Sequence, residues 1–84
     1  MKIIKIGAMW CSACLKMHKY WDILKKDYPD IEILEYDYDM DEDIVKEYEV
    51  NDILPVILFY QNDNLVARLD GEKTLEEIKN IIEN

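Results

Sequence analysis

The apolar residues of this chain fall into two patterns, short apolar runs and longer stretches with helical spacing. The runs are rich in Ile, Leu, Val and Tyr, and they predict four strands, at about residues 2–6, 31–38, 53–60 and 65–69. Apolar residues three or four positions apart predict three helices, at about residues 11–27, 42–48 and 75–82. The predicted order of elements is therefore βαβαββα.

Local signals set the ends of these elements. Pro29 ends the first helix. Four of the five residues 39–43 are acidic and this segment forms a turn, and we expect its side-chain oxygens to cap the second helix. Residues 61–64 have the composition of a turn, so the last two strands form a hairpin. Thr74 and Glu77 have the spacing of a capping box at the start of the last helix.

The element order predicts an α/β fold with one mixed sheet of four strands. The first two strands are joined through a helix, so they lie parallel with a right-handed crossover. The hairpin extends the sheet antiparallel beside the first strand. No linker, repeat or shift in composition divides the chain, and we expect residues 1–84 to form a single domain.

Composition and charge narrow the range of functions. Half of the 84 residues are hydrophobic and 35% are charged, as in globular rather than disordered chains. The 19 acidic and 10 basic residues give a net charge of −9, which repels a nucleic-acid backbone. The longest uncharged runs have ten residues, about half the length of a membrane-spanning helix. We therefore expect neither nucleic acid nor a membrane as a partner.

The only cysteines, Cys11 and Cys14, are separated by Ser12-Ala13. A bridge across so short a loop removes little entropy from the unfolded chain, so it stabilises a fold poorly. A secreted domain of this size usually carries several structural bridges, and no cleavable leader is recognisable before the first strand. The pair is better explained by reversible redox chemistry, and we expect a cytoplasmic protein.

The position of the pair predicts different roles for the two thiols. Cys11 lies where the first strand gives way to the first helix, and the unpaired N–H groups and positive dipole of a helix start stabilise a thiolate there. We expect Cys11 to be the nucleophile, with a sulfur that other molecules can reach. Cys14 lies one turn further on, where it can attack a mixed disulfide on Cys11 and leave an intrachain bridge.

These features resemble the thioredoxin superfamily over roughly residues 2–83. The matching residues are Trp10-Cys11-Ser12-Ala13-Cys14 after a strand, the Leu54-Pro55 step and Gly71 before the last helix. The resemblance implies a cis peptide bond before Pro55, beside the cysteines, where Leu54 offers free backbone groups to an extended substrate. It also implies no bound cofactor beyond the redox-active pair, disulfide-containing proteins as substrates, and electrons from a thioredoxin-reductase-type partner that uses NADPH and holds the flavin.

Two charged positions differ from the thioredoxin pattern. Thioredoxins usually place a buried acid six residues before the first cysteine, where it takes the proton of the resolving thiol, but this position is Lys5. The second-strand site at which thioredoxins often carry a lysine is, by register, Glu35. We therefore suggest a swapped pair in which Glu35 accepts the proton of Cys14.

The residues around the pair allow more than one interpretation. Trp10 either belongs to the core or, as we favour, offers a flat contact surface beside the reactive thiol. If Trp10 is such a contact surface, the apolar rim around Cys11 is completed by Met9, Leu15 and Ile53.

A metal site is an alternative use of the cysteines. Cys11, Cys14 and His18 fall on one helix face, with a spacing that suggests ligands. Cys11 and His18 are, however, about 10 Å apart along a helix axis, and the chain has no further Cys or His to complete a tetrahedral set. We therefore expect no metal.

The sequence thus predicts a monomeric thiol–disulfide oxidoreductase that reduces protein disulfides. Its nearest alternative is a glutathione-dependent glutaredoxin, of whose glutathione cradle only Leu54-Pro55 and, in part, Asp70-Gly71 are matched. Alternatives of another class are a metal chaperone of the same fold and a redox-inert binding module.

Overall fold

The seven elements form in the predicted order. In the computed structural model, which describes residues 1–84, they are β1 (Lys2–Gly7), α1 (Ser12–Asp27), β2 (Glu32–Asp37), α2 (Glu42–Glu47), β3 (Val56–Gln61), β4 (Asn64–Asp70) and α3 (Leu75–Glu83). The largest difference from the predicted bounds is at β3, which begins after Pro55 rather than at Ile53. A proline has no N–H to donate to the ladder, so the paired strand starts at Val56, the residue after Pro55.

The strands form one mixed sheet in the order β2-β1-β3-β4. β1 is parallel to β2 and antiparallel to β3, and β3 is antiparallel to β4. The predicted α/β architecture is therefore confirmed. The register places Lys5 of the central strand β1 beside Glu35 on β2 and beside Ile57 on β3.

The core is divided between the two faces of the sheet, because successive strand residues point to opposite sides. The face covered by α2 carries Ile4, Ile6, Ala8, Cys11, Val50, Leu54, Val56 and Leu58. The face covered by α1 and α3 carries Ile3, Met17, Trp21, Leu24, Ile57, Phe59 and Ile78. The helices therefore form two outer layers around the sheet, and Cys11 belongs to the α2 side of the core.

The predicted caps are formed at α3 but not at α2. Thr74 Oγ1 accepts from the Glu77 N–H at 3.1 Å, and Glu77 accepts from the Thr74 N–H at 3.0 Å, which completes the capping box. The prediction for α2 is wrong, since Asp41 makes no side-chain cap there. Its carboxylate instead accepts from the Asp37 N–H at 2.7 Å, so the acidic segment stabilises its own turn.

The hairpin between β3 and β4 turns where predicted. Asn62 and Asp63 have φ angles of 52° and 67°, and Asn and Asp are the side chains that tolerate this left-handed region best. None of the three helices has the length and apolar character needed to cross a membrane.

Phe59 tests the contribution of the α1 and α3 side of the core. Its side chain has no exposed surface, so Phe59→Ala leaves a cavity and lowers the free energy of unfolding by about 3–5 kcal/mol. Urea unfolding followed by circular dichroism measures this loss. Leu65→Ala on β4 is the control, because half of Leu65 is exposed and its truncation changes stability by less than about 0.5 kcal/mol. Equal losses for both variants would contradict this assignment of the core.

Candidate functional site

Cys11 occupies the N-cap of α1, directly after the turn that follows β1. Its backbone is extended, with φ −86° and ψ 111°, and its sulfur accepts a hydrogen bond from the Cys14 N–H at 3.2 Å. A thiol sulfur therefore takes the place of the hydroxyl or carboxylate oxygen that usually caps a helix. The structure thus directs a backbone N–H of the helix start at Cys11 Sγ, as the sequence predicts.

The two free thiols are in direct contact and have unequal surroundings. Cys14 Sγ donates a hydrogen bond to Cys11 Sγ. Burial and this hydrogen bond raise the pKa of the Cys14 thiol to about 11, while a backbone contact at Ala8 and the charge of Lys5 act in the opposite direction. Cys14 therefore holds its proton at neutral pH, and Cys11 is the acceptor in the pair.

Gly7 allows this close packing at the end of β1. A Cβ atom at this position would lie 3.1 Å from Cys14 Sγ and 3.6 Å from Cys14 Cβ. The absence of a side chain thus lets the first turn of α1 pack directly against the central strand.

The Cys11 side chain is less accessible than the sequence predicts. Only 7% of its surface is exposed, because it packs in the same core cluster as Ala8 and Leu54. The opening above the sulfur is therefore small.

The residues of the apolar rim are exposed, as predicted. The exposed fractions are 86% for Met9, 59% for Trp10, 65% for Leu15 and 57% for Ile53. Trp10 is therefore not part of the core. An exposed group of large apolar side chains beside a reactive thiol is typical of a contact surface for another chain.

The orientation of the Trp10 indole is fixed by two residues that follow β2. Trp10 Nε1 donates to Asp39 at 2.8 Å, and the Tyr38 ring meets the indole edge to face with centroids 6.0 Å apart. The local sequence pattern predicts no role for Tyr38 and places Asp39 only in a turn. Their position directly after β2 points to a role at the site, because the carboxyl ends of the parallel strands β1 and β2 lie at one edge of the sheet.

The Leu54–Pro55 step lies beside Cys11 in the same part of the core. Its peptide bond is cis, and both side chains are buried. The Pro55 carbonyl accepts from the Gly71 N–H at 2.9 Å, whereas no backbone hydrogen bond within the chain uses the Leu54 N–H or carbonyl. Leu54 therefore has a free donor and a free acceptor next to the dithiol.

The swapped ion pair predicted from the sequence is formed. Lys5 Nζ lies 3.3 Å from a carboxylate oxygen of Glu35, with 17% of the lysine side chain and 56% of the glutamate side chain exposed. Both residues line a cavity of about 380 Å³ together with Cys14 and His18. No hydrogen bond links Glu35 directly to Cys14, so its role as proton acceptor stays a prediction.

Two further features concern metal ligands and a second cavity. No group of three or more His, Cys, Asp or Glu side chains is arranged to hold a metal ion, and His18 stands on the exposed side of α1. The largest cavity, of about 700 Å³, lies at the far end of α1, between Tyr28, Val66 and Ile82, and none of the predicted site residues lines it.

Comparisons with known proteins agree with this geometry. The family model described as Thioredoxin matches residues 1–84. Thioredoxin of Ophiophagus hannah is 29% identical over 80 residues, which cover 92% of this chain and 75% of that protein. Glutaredoxin-3 of Mus musculus is 25% identical over 79 residues, which cover 94% of this chain but only 23% of that protein.

Solved structures confirm the predicted thioredoxin-like fold. Thioredoxin-2, a component of the malaria parasite protein secretion machinery, superposes with a TM-score of 0.90 at 28% sequence identity. The superposition covers 98% of this chain and 80% of the other.

Replacing Asp39 tests the support of the indole. A hydrogen bond worth about 1 kcal/mol keeps the indole bonded about five times as often as unbonded, and Asp39→Ala removes its acceptor. In a Trp21→Phe background, where Trp10 is the only tryptophan, we expect the fluorescence anisotropy of Trp10 to fall. Asp43→Ala, at an exposed acid in α2, is the control and leaves the anisotropy unchanged. An unaltered anisotropy in Asp39→Ala would contradict this support.

Proposed function

The chain belongs to the thioredoxin family, whose members are thiol–disulfide oxidoreductases, and from this we propose that it reduces protein disulfides through Cys11 and Cys14. The observation that carries the proposal is the pair of hydrogen bonds accepted by Cys11 Sγ, one from the Cys14 N–H and one from the Cys14 thiol. Both stabilise negative charge on the sulfur of Cys11.

The reaction begins at Cys11. Its thiolate attacks one sulfur of the substrate disulfide, the substrate S–S bond breaks, and a mixed disulfide with Cys11 forms. The departing substrate thiolate takes up a proton. Cys14 then loses its proton and attacks Cys11 Sγ, which releases the second substrate thiol and leaves the Cys11–Cys14 disulfide. Two electrons pass from the dithiol to the substrate.

The substrate segment binds across the rim and Leu54. The free N–H and carbonyl of Leu54 can pair with an extended segment as an added strand does, and Trp10 and Ile53 provide apolar contact beside it. This arrangement supports Trp10, Leu54 and Pro55 as substrate-binding residues. The small opening at Cys11 favours substrates whose disulfide lies in such an exposed, extended segment.

Glu35 accepts the proton that Cys14 loses in the second step. The high pKa of Cys14 requires a proton acceptor at this stage, and Glu35 is a carboxylate that lines the same cavity. Because no direct hydrogen bond joins the two side chains, the proton passes through a water molecule in the cavity.

The oxidised protein is reduced again by a partner. Family members usually need no bound cofactor, and we propose a thioredoxin-reductase-type donor that carries the flavin and uses NADPH. A cytoplasmic location is proposed for the same reason as in the sequence analysis, because the single short Cys-x-x-Cys loop suits a reducing compartment. Reduction by glutathione instead of the reductase would identify the glutaredoxin alternative.

Single cysteine variants test the order of attack. In insulin reduction with dithiothreitol, Cys11→Ser falls to the rate of dithiothreitol alone, because no nucleophile remains. Cys14→Ser retains the first step and accumulates a mixed disulfide with a peptide substrate, since the resolving thiol is absent. Mass spectrometry detects the adduct and assigns it to Cys11. Activity retained in Cys11→Ser, or an adduct on Cys14 in the wild-type protein, would contradict these roles.

Glu35→Gln tests the proton acceptor. The carboxamide cannot accept the proton, so resolution of the mixed disulfide slows by at least about tenfold near neutral pH and shows a changed pH profile. Stopped-flow single turnovers with a fluorogenic peptide disulfide separate attack from resolution. Glu32→Gln, at an exposed glutamate on the same strand, is the matched control and leaves both rates unchanged. Equal or faster resolution in Glu35→Gln would refute the assignment.

A further inference from the structure

We propose that Lys5 is a positioning residue for the second step of the reaction. Its ammonium group is held between the Trp21 ring and Glu35 at the cavity that contains the Cys14 thiol, and there it stabilises the Cys14 thiolate that resolves the mixed disulfide. This inference rests on the proposed function, since it assigns the charge that makes that step possible.

The position of Lys5 is not explained by packing. The residue lies in the central strand between the buried residues Ile4 and Ile6, and only 17% of its side chain is exposed. Central-strand positions with this little exposure are normally apolar, because a partly desolvated ammonium group costs free energy. Two contacts offset the cost, the Trp21 ring at 4.8 Å and the Glu35 carboxylate at 3.3 Å.

The unequal exposure of the ion pair leaves the charge of Lys5 less screened than that of Glu35. Glu35 is 56% exposed, so water screens its charge far more than it screens the ammonium group of Lys5. Besides Lys5 and Glu35, five titratable side chains line the cavity. They come from α1, from β2 and from the residue before α2, and they are Cys14, His18, Tyr36, Asp37 and Asp41.

The other acids at the cavity are engaged elsewhere. The Asp37 carboxylate accepts from the N–H groups of Asp39 and Met40, and the Asp41 carboxylate accepts from the Asp37 N–H. Among the residues that line the cavity, Lys5 is the only lysine or arginine. It is therefore the only fixed positive side-chain charge that lines the cavity with the resolving thiol.

Formation of the mixed disulfide increases the importance of Lys5. In the reduced protein, burial, the hydrogen bond to Cys11 and the charge of Cys11 all raise the pKa of Cys14. The two contributions from Cys11 disappear once its sulfur is bonded to the substrate and is neutral. Burial then opposes the backbone contact at Ala8 and the charge of Lys5, so the ammonium group is the one side-chain charge that favours the thiolate at the moment of attack.

Alkylation of Cys14 measures this effect without substrate. In a Cys11→Ser background, the rate of alkylation by iodoacetamide is followed against pH to give the midpoint at which the Cys14 thiolate forms. Lys5→Met moves the midpoint upward by about one pH unit, as expected for loss of a nearby opposite charge. Lys5→Gln, a second neutral variant, moves it in the same direction, and Lys5→Arg restores it.

Lys2 provides a matched control on the same strand. Its ammonium group also lies over an aromatic ring, 5.4 Å from the centroid of Tyr60, but it is at the opposite end of β1 from the cysteines. Lys2→Met therefore removes the same kind of contact and leaves the midpoint of Cys14 unchanged. If the effect came only from losing a cation on this strand, the alkylation midpoint of Cys14 would move in both Lys5→Met and Lys2→Met.

Single turnovers of proteins with both cysteines complete the test. Lys5→Met slows resolution about threefold near neutral pH, because the thiolate fraction falls about tenfold while the more basic thiolate is a stronger nucleophile, and it leaves attack by Cys11 unchanged. An unchanged or lowered midpoint in Lys5→Met would overturn the inference. If the wild-type protein forms no mixed disulfide, the proposed function fails, and the alkylation midpoint still reports on Lys5 separately.

Discussion

The hydrogen bonds accepted by Cys11 Sγ are the interaction on which the site depends. They exist only because α1 begins directly after Cys11, so that the N–H and the thiol of Cys14 both point at the capping sulfur. That start is in turn fixed by β1, where Gly7 lets Cys14 pack against the backbone of the central strand. The buried sheet therefore determines which sulfur accepts and which donates, and with it the order of steps in the proposed reaction.

The charges around the dithiol are arranged differently from what the resemblance to thioredoxins leads one to expect. A cation lies on the inner side, against Trp21, and the carboxylate lies on the more exposed edge strand. An inner carboxylate would add its own charge to the cost of ionising a buried thiol, whereas an inner ammonium group reduces that cost. The price is the partial desolvation of Lys5, which the aromatic ring and the ion pair offset.

Local patterns in the sequence were sufficient for the elements, the sheet and the position of the Cys-x-x-Cys pair at the start of α1. The Lys5–Glu35 pair was also predictable, because the register of parallel strands follows from where each strand begins. Three features could not be predicted from local patterns. The shielding of Cys11 by Leu54, the support of Trp10 by Asp39, and the use of Asp41 within a turn rather than as a cap all depend on side chains that meet only after the chain has folded.

β2 forms one border of the sheet, and its outer backbone groups are open to pairing with a strand from another molecule. Glu32, Glu35 and Asp37 place three acidic side chains along these six residues. Two copies brought together at this border would face each other with like charges, which opposes intermolecular sheet formation and the aggregation that follows from it. The glutamate that binds Lys5 thus also helps to keep neighbouring copies of the protein apart.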